Sequence, residues 1–243
     1  MAGAEGAPGD RDGSGLLPDL ADGGRDVPKT VRWWAMRCLD GEFTPTEEVD
    51  HLRWLAVPQA VRRVTAGRDS TPLLAFSAQP PRTATVLLLR HASAGDRDGW
   101  SGEDDLRPLD ERGREQARAV ADVLTAYAPQ AVRSAPPRRC QDTVRPLADR
   151  LGLAVEQDDR LSERTWAADP TAVVAAVCEL GAGEGSTVAC SQGGAVQEAV
   201  AALTAQAGTP LDRVRARKGS LWALSFSAGR LVDADHTPEL RLS

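Results

Sequence analysis

Residues 84–92 read Ala84-Thr-Val-Leu-Leu-Leu-Arg-His-Ala92. The six residues up to Leu89 are apolar but for one threonine, which suits a short strand covered on both faces. A guanidinium and an imidazole, Arg90 and His91, follow at once at its carboxyl end. Outward from this strand the spacing predicts a helix about residues 110–126, a strand Ala131-Val-Arg-Ser134, a helix about 138–151 and a strand Leu153-Ala-Val-Glu156. Next come a helix about 170–180, a strand Ser186-Thr-Val-Ala-Cys190 and a helix about 195–206. Ser220-Leu-Trp-Ala-Leu-Ser-Phe226, Gly229 and Leu231-Val-Asp233 then form a hairpin. Strands and helices that alternate in this way imply an α/β sandwich with a largely parallel sheet. In such sheets a ligand sits beyond the carboxyl ends of the strands.

The chain has 243 residues, of which 42% are hydrophobic, enough for one large domain or two small ones and too apolar for a disordered or fibrous chain. Its apolar runs, such as Ala172-Val-Val-Ala-Ala-Val-Cys178, fall far short of the ~20 residues that cross a bilayer. The N-terminus lacks a basic and then apolar leader, so a soluble, cytoplasmic protein is expected. With a net charge of -6 the surface repels nucleic-acid polymers and anionic membranes, and a bound anion must lie in a local basic pocket. Cys38, Cys140, Cys178 and Cys190 are scattered, with no C-x-x-C pair. They read as free thiols in a reducing compartment, with neither disulfides nor structural zinc.

Residues 1–15, rich in Gly, Ala and Asp without hydrophobic period, read as a disordered tail. Residues 16–76 hold a strand from Lys29 to Leu39, a second alternating stretch Glu48-Val-Asp-His-Leu-Arg-Trp-Leu55, and a helical stretch Val57 to Ala75 interrupted near Gly67-Arg-Asp-Ser70. That is a small core for an independent domain. Residues 77–83, with Pro80 and Pro81, read as a linker, and residues 84–243 as the main domain.

Four polar segments fall at successive strand ends of that domain: Arg90-His91, Ser134-Ala-Pro-Pro-Arg-Arg139-Cys140, Arg160-Leu-Ser-Glu163 and Ser191-Gln192-Gly193-Gly194. Taken singly, His91 is more often a structural donor, Arg139 a solvated helix residue, Glu163 a loop carboxylate and the glycines an ordinary turn. Together they bring an imidazole, guanidiniums, a carboxyl and a Gly-Gly turn to one cleft, a set suited to phosphoryl transfer without a metal. Arg213, Arg215, Arg217 and Lys218 read as a solvated loop cluster, with phosphate steering as the minority reading.

These segments resemble the histidine phosphatase (phosphoglycerate mutase-like) superfamily in its SixA-type form. Leu88-Leu-Arg-His-Ala92 is similar to its strand-end R-H-G or R-H-A motif, Arg107-Pro-Leu-Asp-Glu-Arg-Gly-Arg-Glu-Gln-Ala117 to its RPLT-x-x-G-x-x-QA helix start, Ser134 to Thr143 to its SSPLxRAxQT segment, and Arg160-Leu-Ser-Glu-Arg164 to its RLxER acid segment. The resemblance implies a three-layer sandwich. It makes His91 a nucleophile that becomes phosphohistidine, Arg90 and Arg139 phosphate ligands, and Glu163 the proton donor, with no cofactor and no metal. The family's second histidine, in a V-S-H-G-G turn, is here Gln192. A glutamine still donates to a phosphoryl oxygen but brings no charge, a change that costs ~10²–10³ in rate by analogy with a lost oxyanion donor.

Lys29-Thr-Val-Arg-Trp-Trp, Gly41-Glu-Phe-Thr-Pro45 and residues 48–55 are similar to the C-terminal half of a Nudix (MutT-type) hydrolase. The order of the two segments resembles actinobacterial Nudix–histidine phosphatase fusions. The Nudix box is missing, so residues 16–76 are expected to be a partial α+β Nudix-like segment without metal chemistry. The whole then reads as a phosphatase acting on phosphomonoesters or phosphohistidine. Its substrate is a phosphorylated small molecule, a nucleotide or a phosphoprotein, chosen by residues 92–106 and by whatever covers the cleft near Trp166. A remnant oxidised-guanine-nucleotide hydrolase and a weakened phospho-ligand-binding module are the rival readings.

Overall fold

The computed structural model describes Trp33 and residues 41–64, 67–78 and 84–238. The expected tail 1–15, the expected strand over 29–39 apart from Trp33, and residues 79–83 of the linker lie outside the described residues. The chain divides after residue 81 into two compact units.

In the first unit two helices are described, α1 (Val57–Arg63) and α2 (Gly67–Ala78); Gly67–Ser70, where the break is expected, instead form the start of α2, which runs on through Ala78. A proline at the start of α1 suits the first turn, where its missing N–H has no partner to lose. The alternating stretch 48–55 is not a strand: residues 41–56 have no regular structure, and Phe43, Val49, Leu52 and Trp54 stay exposed. Alternation specifies a strand only where a neighbour completes the ladder, and the described residues of this unit include none. The described part of the expected α+β segment is thus helical and irregular.

The second unit contains β1 (Ala84–Arg90), α3 (Glu111–Thr125), β2 (Ala131–Ser134), α4 (Arg138–Leu151), β3 (Val155–Gln157), α5 (Glu163–Ala168), α6 (Pro170–Gly181), β4 (Gly185–Ser191), α7 (Gly193–Gln206), β5 (Leu221–Ser227) and β6 (Arg230–Thr237). The six strands form one mixed sheet in the order β3-β2-β4-β1-β5-β6. β1, β4, β2 and β3 run parallel, and β5 and β6 are antiparallel. Val86, Leu87, Leu88 and Leu89 of β1 are wholly buried on both faces, with α3 packed on α4 and α6 on α7. This continuous apolar run is what a central strand beneath helices on both sides requires.

Helix ends are set by local polar groups. Asp110 caps α3 through the Gly113 N–H at 2.6 Å, and Gly152, in left-handed conformation, ends α4. β5 returns to β6 through Ala228 and Gly229, both at positive φ. β1 lies between β4 and β5, so its carboxyl end opens where the parallel and antiparallel halves of the sheet meet.

Candidate active site

His91 leaves β1 with its N–H bonded to the Ser191 carbonyl at the end of β4, 3.0 Å away. The ring is 6% exposed, and Nδ1 lies 2.7 Å from the Ala92 carbonyl. A carbonyl only accepts, so Nδ1 carries the proton and Nε2 presents its lone pair. Burial, together with the charges of Arg139, Arg90 and Lys218, lowers the imidazole from its ordinary 6.5 to about 3. The ring is therefore neutral at any physiological pH.

Two guanidiniums stand beside it. Arg90 sends Nη1 to the Ala216 carbonyl at 2.5 Å, and desolvation lowers its affinity for a proton while Glu163 raises it. Arg139, 3% exposed at the start of α4, donates Nη1 to the Asp104 carbonyl at 2.6 Å and Nη2 to Asp104 Oδ2 at 2.9 Å. Thr143 ties α4 to the nucleophile loop: its hydroxyl donates to the Arg139 carbonyl at 2.6 Å and accepts the Ala92 N–H at 3.0 Å.

Glu163 opens α5, capped by Ser162. Its Oε1 accepts the Gly194 N–H at 3.0 Å, and its own N–H donates to Gln192 Oε1 at 2.8 Å. With that oxygen committed, the donor left on Gln192 is the Nε2 amide. The Ser191 hydroxyl bonds the Leu161 carbonyl at 2.5 Å, which pins this acid segment to β4. Gly193 and Gly194 are needed for close approach. A Cβ on Gly193 would stand 2.9 Å from Arg90 Cζ, and one on Gly194 2.6 Å from the Trp166 ring. Glu163, Gln192, Asp104, Arg97 and Arg164 line a cleft of about 410 Å³. Among the described residues no group of three or more His, Cys, Asp or Glu gathers to hold a metal ion.

A model of the histidine phosphatase superfamily (branch 1) matches residues 86–170, the span that carries Arg90, His91, Arg139 and Glu163. That stretch is similar to the histidine phosphatase superfamily. It is 36% identical over 208 residues to the 8-oxo-(d)GTP phosphatase of Mycolicibacterium smegmatis, covering 86% of this chain and 65% of that one. It is 40% identical over 86 residues to the glucosyl-3-phosphoglycerate phosphatase of Mycolicibacterium vanbaalenii, or 34% of this chain and 37% of that one. The chain therefore spans less than two thirds of these relatives. The solved protein histidine phosphatase SixA, complexed with tungstate, superposes with a TM-score of 0.51 at 20% identity over 65% of this chain and 96% of that one, a likeness of fold. A phosphohydrolase is the enzyme class these homologues support.

The second unit brings together all five residues singled out from the sequence: Arg90, His91, Arg139, Glu163 and Gln192. Two others matter here. Lys218, read as part of a solvated cluster, is close enough to His91 to depress its protonation, and its Nζ reaches the Gly95 carbonyl at 3.4 Å. Asp104, within the segment 92–106 expected to choose the substrate, is the partner of Arg139. Trp166, near which the cleft cover is expected, packs against the core and the first turn of α7.

The buried neutral histidine makes the fold acid-sensitive. In the unfolded chain His91 binds a proton below about pH 6.5, whereas in the fold it does so only near 3, so stability falls as pH drops through that window. Between pH 7 and 5.5 the wild type should lose about 1 kcal/mol more than a His91→Gln variant, read from urea midpoints at the two pH values. His236, also held below its ordinary range by burial and by Arg215 and Arg217, cancels in the comparison because both proteins keep it.

Proposed function

We propose that the domain is a metal-independent phosphatase working through a phosphohistidine on His91. The observation that carries the reading is the imidazole held neutral with Nδ1–H on the Ala92 carbonyl and Nε2 free, beside the buried guanidinium of Arg139 and the half-buried one of Arg90. In the first step the Nε2 lone pair forms the N–P bond as the P–O bond to the leaving group breaks. Glu163, whose Oε2 is the oxygen left to carry a proton, hands that proton to the departing oxygen. Arg90, Arg139 and the Gln192 amide hold the phosphoryl oxygens as charge builds on them. Water then attacks phosphorus, the N–P bond breaks, Glu163 takes the water's proton, and inorganic phosphate leaves with His91 restored.

A nucleotide substrate is the second reading, favoured by one observation. The unit from residue 82 to 243 holds 162 residues, so the 208-residue match to the 8-oxo-(d)GTP phosphatase extends well into the first unit. The Nudix-like assignment of residues 16–76 belongs to this reading. A cytoplasmic setting fits the free thiols of Cys140, Cys178 and Cys190. No helix among the described residues is long and apolar enough to cross a membrane.

The test is hydrolysis in EDTA of nucleotides, sugar phosphates and a phosphohistidine protein, with alkaline quenching and mass spectrometry of the protein. Phosphate on the peptide containing His91 is expected, with activity that EDTA leaves intact. Gln192→His should raise turnover by roughly 10²-fold if the lost charge at that position limits the wild type. Activity that requires an added divalent ion, or a phosphoenzyme on another residue, would overturn the mechanism.

A further inference from the structure

Arg139 is already occupied. Asp104 takes two of its N–H groups with its carbonyl and Oδ2. Asp104 Oδ1 meanwhile accepts from Arg107 Nε at 3.1 Å and pairs with Arg107 Nη2 at 3.0 Å and Arg97 Nε at 3.7 Å. One carboxylate thus faces three guanidiniums, and Arg107 is itself fixed by the carbonyls of Ala94 and Gly95. The pairing is also incomplete. The Nε–H groups of Arg139 and Arg90 are buried without a hydrogen-bond partner. Buried donors of charged groups left unmade are costly, and they point to a ligand that would complete them.

We propose that Asp104 is the resident occupant of the oxyanion site, and that a substrate's phosphoryl group binds by displacing it from Arg139. This rests on the phosphatase reading and adds a residue that determines specificity. Exchange replaces a singly charged carboxylate by a phosphoryl group bearing close to two charges and three acceptor oxygens. A ligand presenting only a carboxylate gains nothing from the swap, so Asp104 screens the site against carboxylates and in favour of dianionic phosphoryl groups. The turn that carries it is built to move. It is a single 3-10 turn, Asp104–Leu106, held by the Leu106 N–H on Glu103 and the Arg107 N–H on Asp104, with Leu106 57% exposed and the open cleft beside it. The outer tie from Asp105 to Arg164, 3.7 Å between exposed groups, adds little resistance.

The decisive experiment is calorimetric titration of the full chain and its Asp104→Asn variant with tungstate, a tetrahedral dianion, alongside steady-state kinetics on p-nitrophenyl phosphate. Removing the competing charge should tighten tungstate about tenfold, the change that ~1.4 kcal/mol of relieved competition produces. KM should fall by a similar factor, with kcat changing less. If Asp104 merely builds the site, the variant binds tungstate equally or more weakly, and the proposal fails; it fails also if neither protein binds. Should the variant not fold, hydrogen exchange on the wild type decides. Saturating tungstate should deprotect the amides of Leu106 and Arg107, and unchanged protection overturns the displacement. A His91→Ala chain that still hydrolyses phosphate esters would sink the catalytic reading while leaving this exchange standing.

Discussion

His91→Ala in the full chain should lower kcat on p-nitrophenyl phosphate by about 10⁴-fold or more, the scale on which a removed covalent nucleophile shows. No other described group offers the same combination of a free lone pair, neutrality and two neighbouring guanidiniums. Cys190 is wholly buried and held as a thiol far above its ordinary range by that burial, so it cannot substitute. The loss should lie in turnover and not in folding. The ring is uncharged in the fold, so truncation strands no ion; it removes one bond to the Ala92 carbonyl and leaves a small cavity. Tungstate affinity within severalfold of wild type would show the arginine site intact. Residual hydrolysis within tenfold of wild type, with no phosphorylated His91 peptide, would place the chemistry elsewhere.

What could be read from the sequence follows from how local the determinants are. Strand β1 is legible because its residues are apolar on both faces, and parallel α/β topology then carries Arg90, His91, Arg139 and Gln192 to one edge without any further information. Helix α5 is not legible: six residues, Glu163–Ala168, are too few to show a period, and its cap at Ser162 resembles any polar loop. The Asp104–Arg139 pair is invisible for a different reason. The two residues are 35 apart in sequence, and charge patterning along a chain reports only neighbours within a helix turn or across adjacent strands. The role of Lys218 was hidden similarly, since proximity to His91 arises only when the segment before β5 folds back on the loop after β1; the Gly219 N–H lies 3.2 Å from both the Arg90 and the His91 carbonyls. In the first unit the failure runs the other way: the alternation in residues 48–55 is real in the sequence, but the described residues contain no neighbouring strand for it.

Arg139→Ala should reduce kcat/KM on p-nitrophenyl phosphate by about 10³-fold, because a charge-assisted, two-pronged contact to the transferring phosphoryl group is lost from a buried position. Arg139→Lys should rescue only a small part, since an ammonium can match neither the planar fork nor the two directions in which Nη1 and Nη2 now donate. Stability should suffer less than the burial of Arg139 suggests. The substitution removes the buried charge itself, and Asp104 keeps Arg107 at 3.0 Å and Arg97 at 3.7 Å. The double variant makes the sharper measurement. If Asp104 competes with substrate through Arg139, then Asp104→Asn, which lowers KM in the wild type, should have almost no effect once Arg139 is alanine, and the two changes should be strongly non-additive. Additive effects would mean that Asp104 acts on substrate directly or through Arg107. Wild-type kcat/KM in the single Arg139→Ala variant would remove Arg139 from the phosphate site.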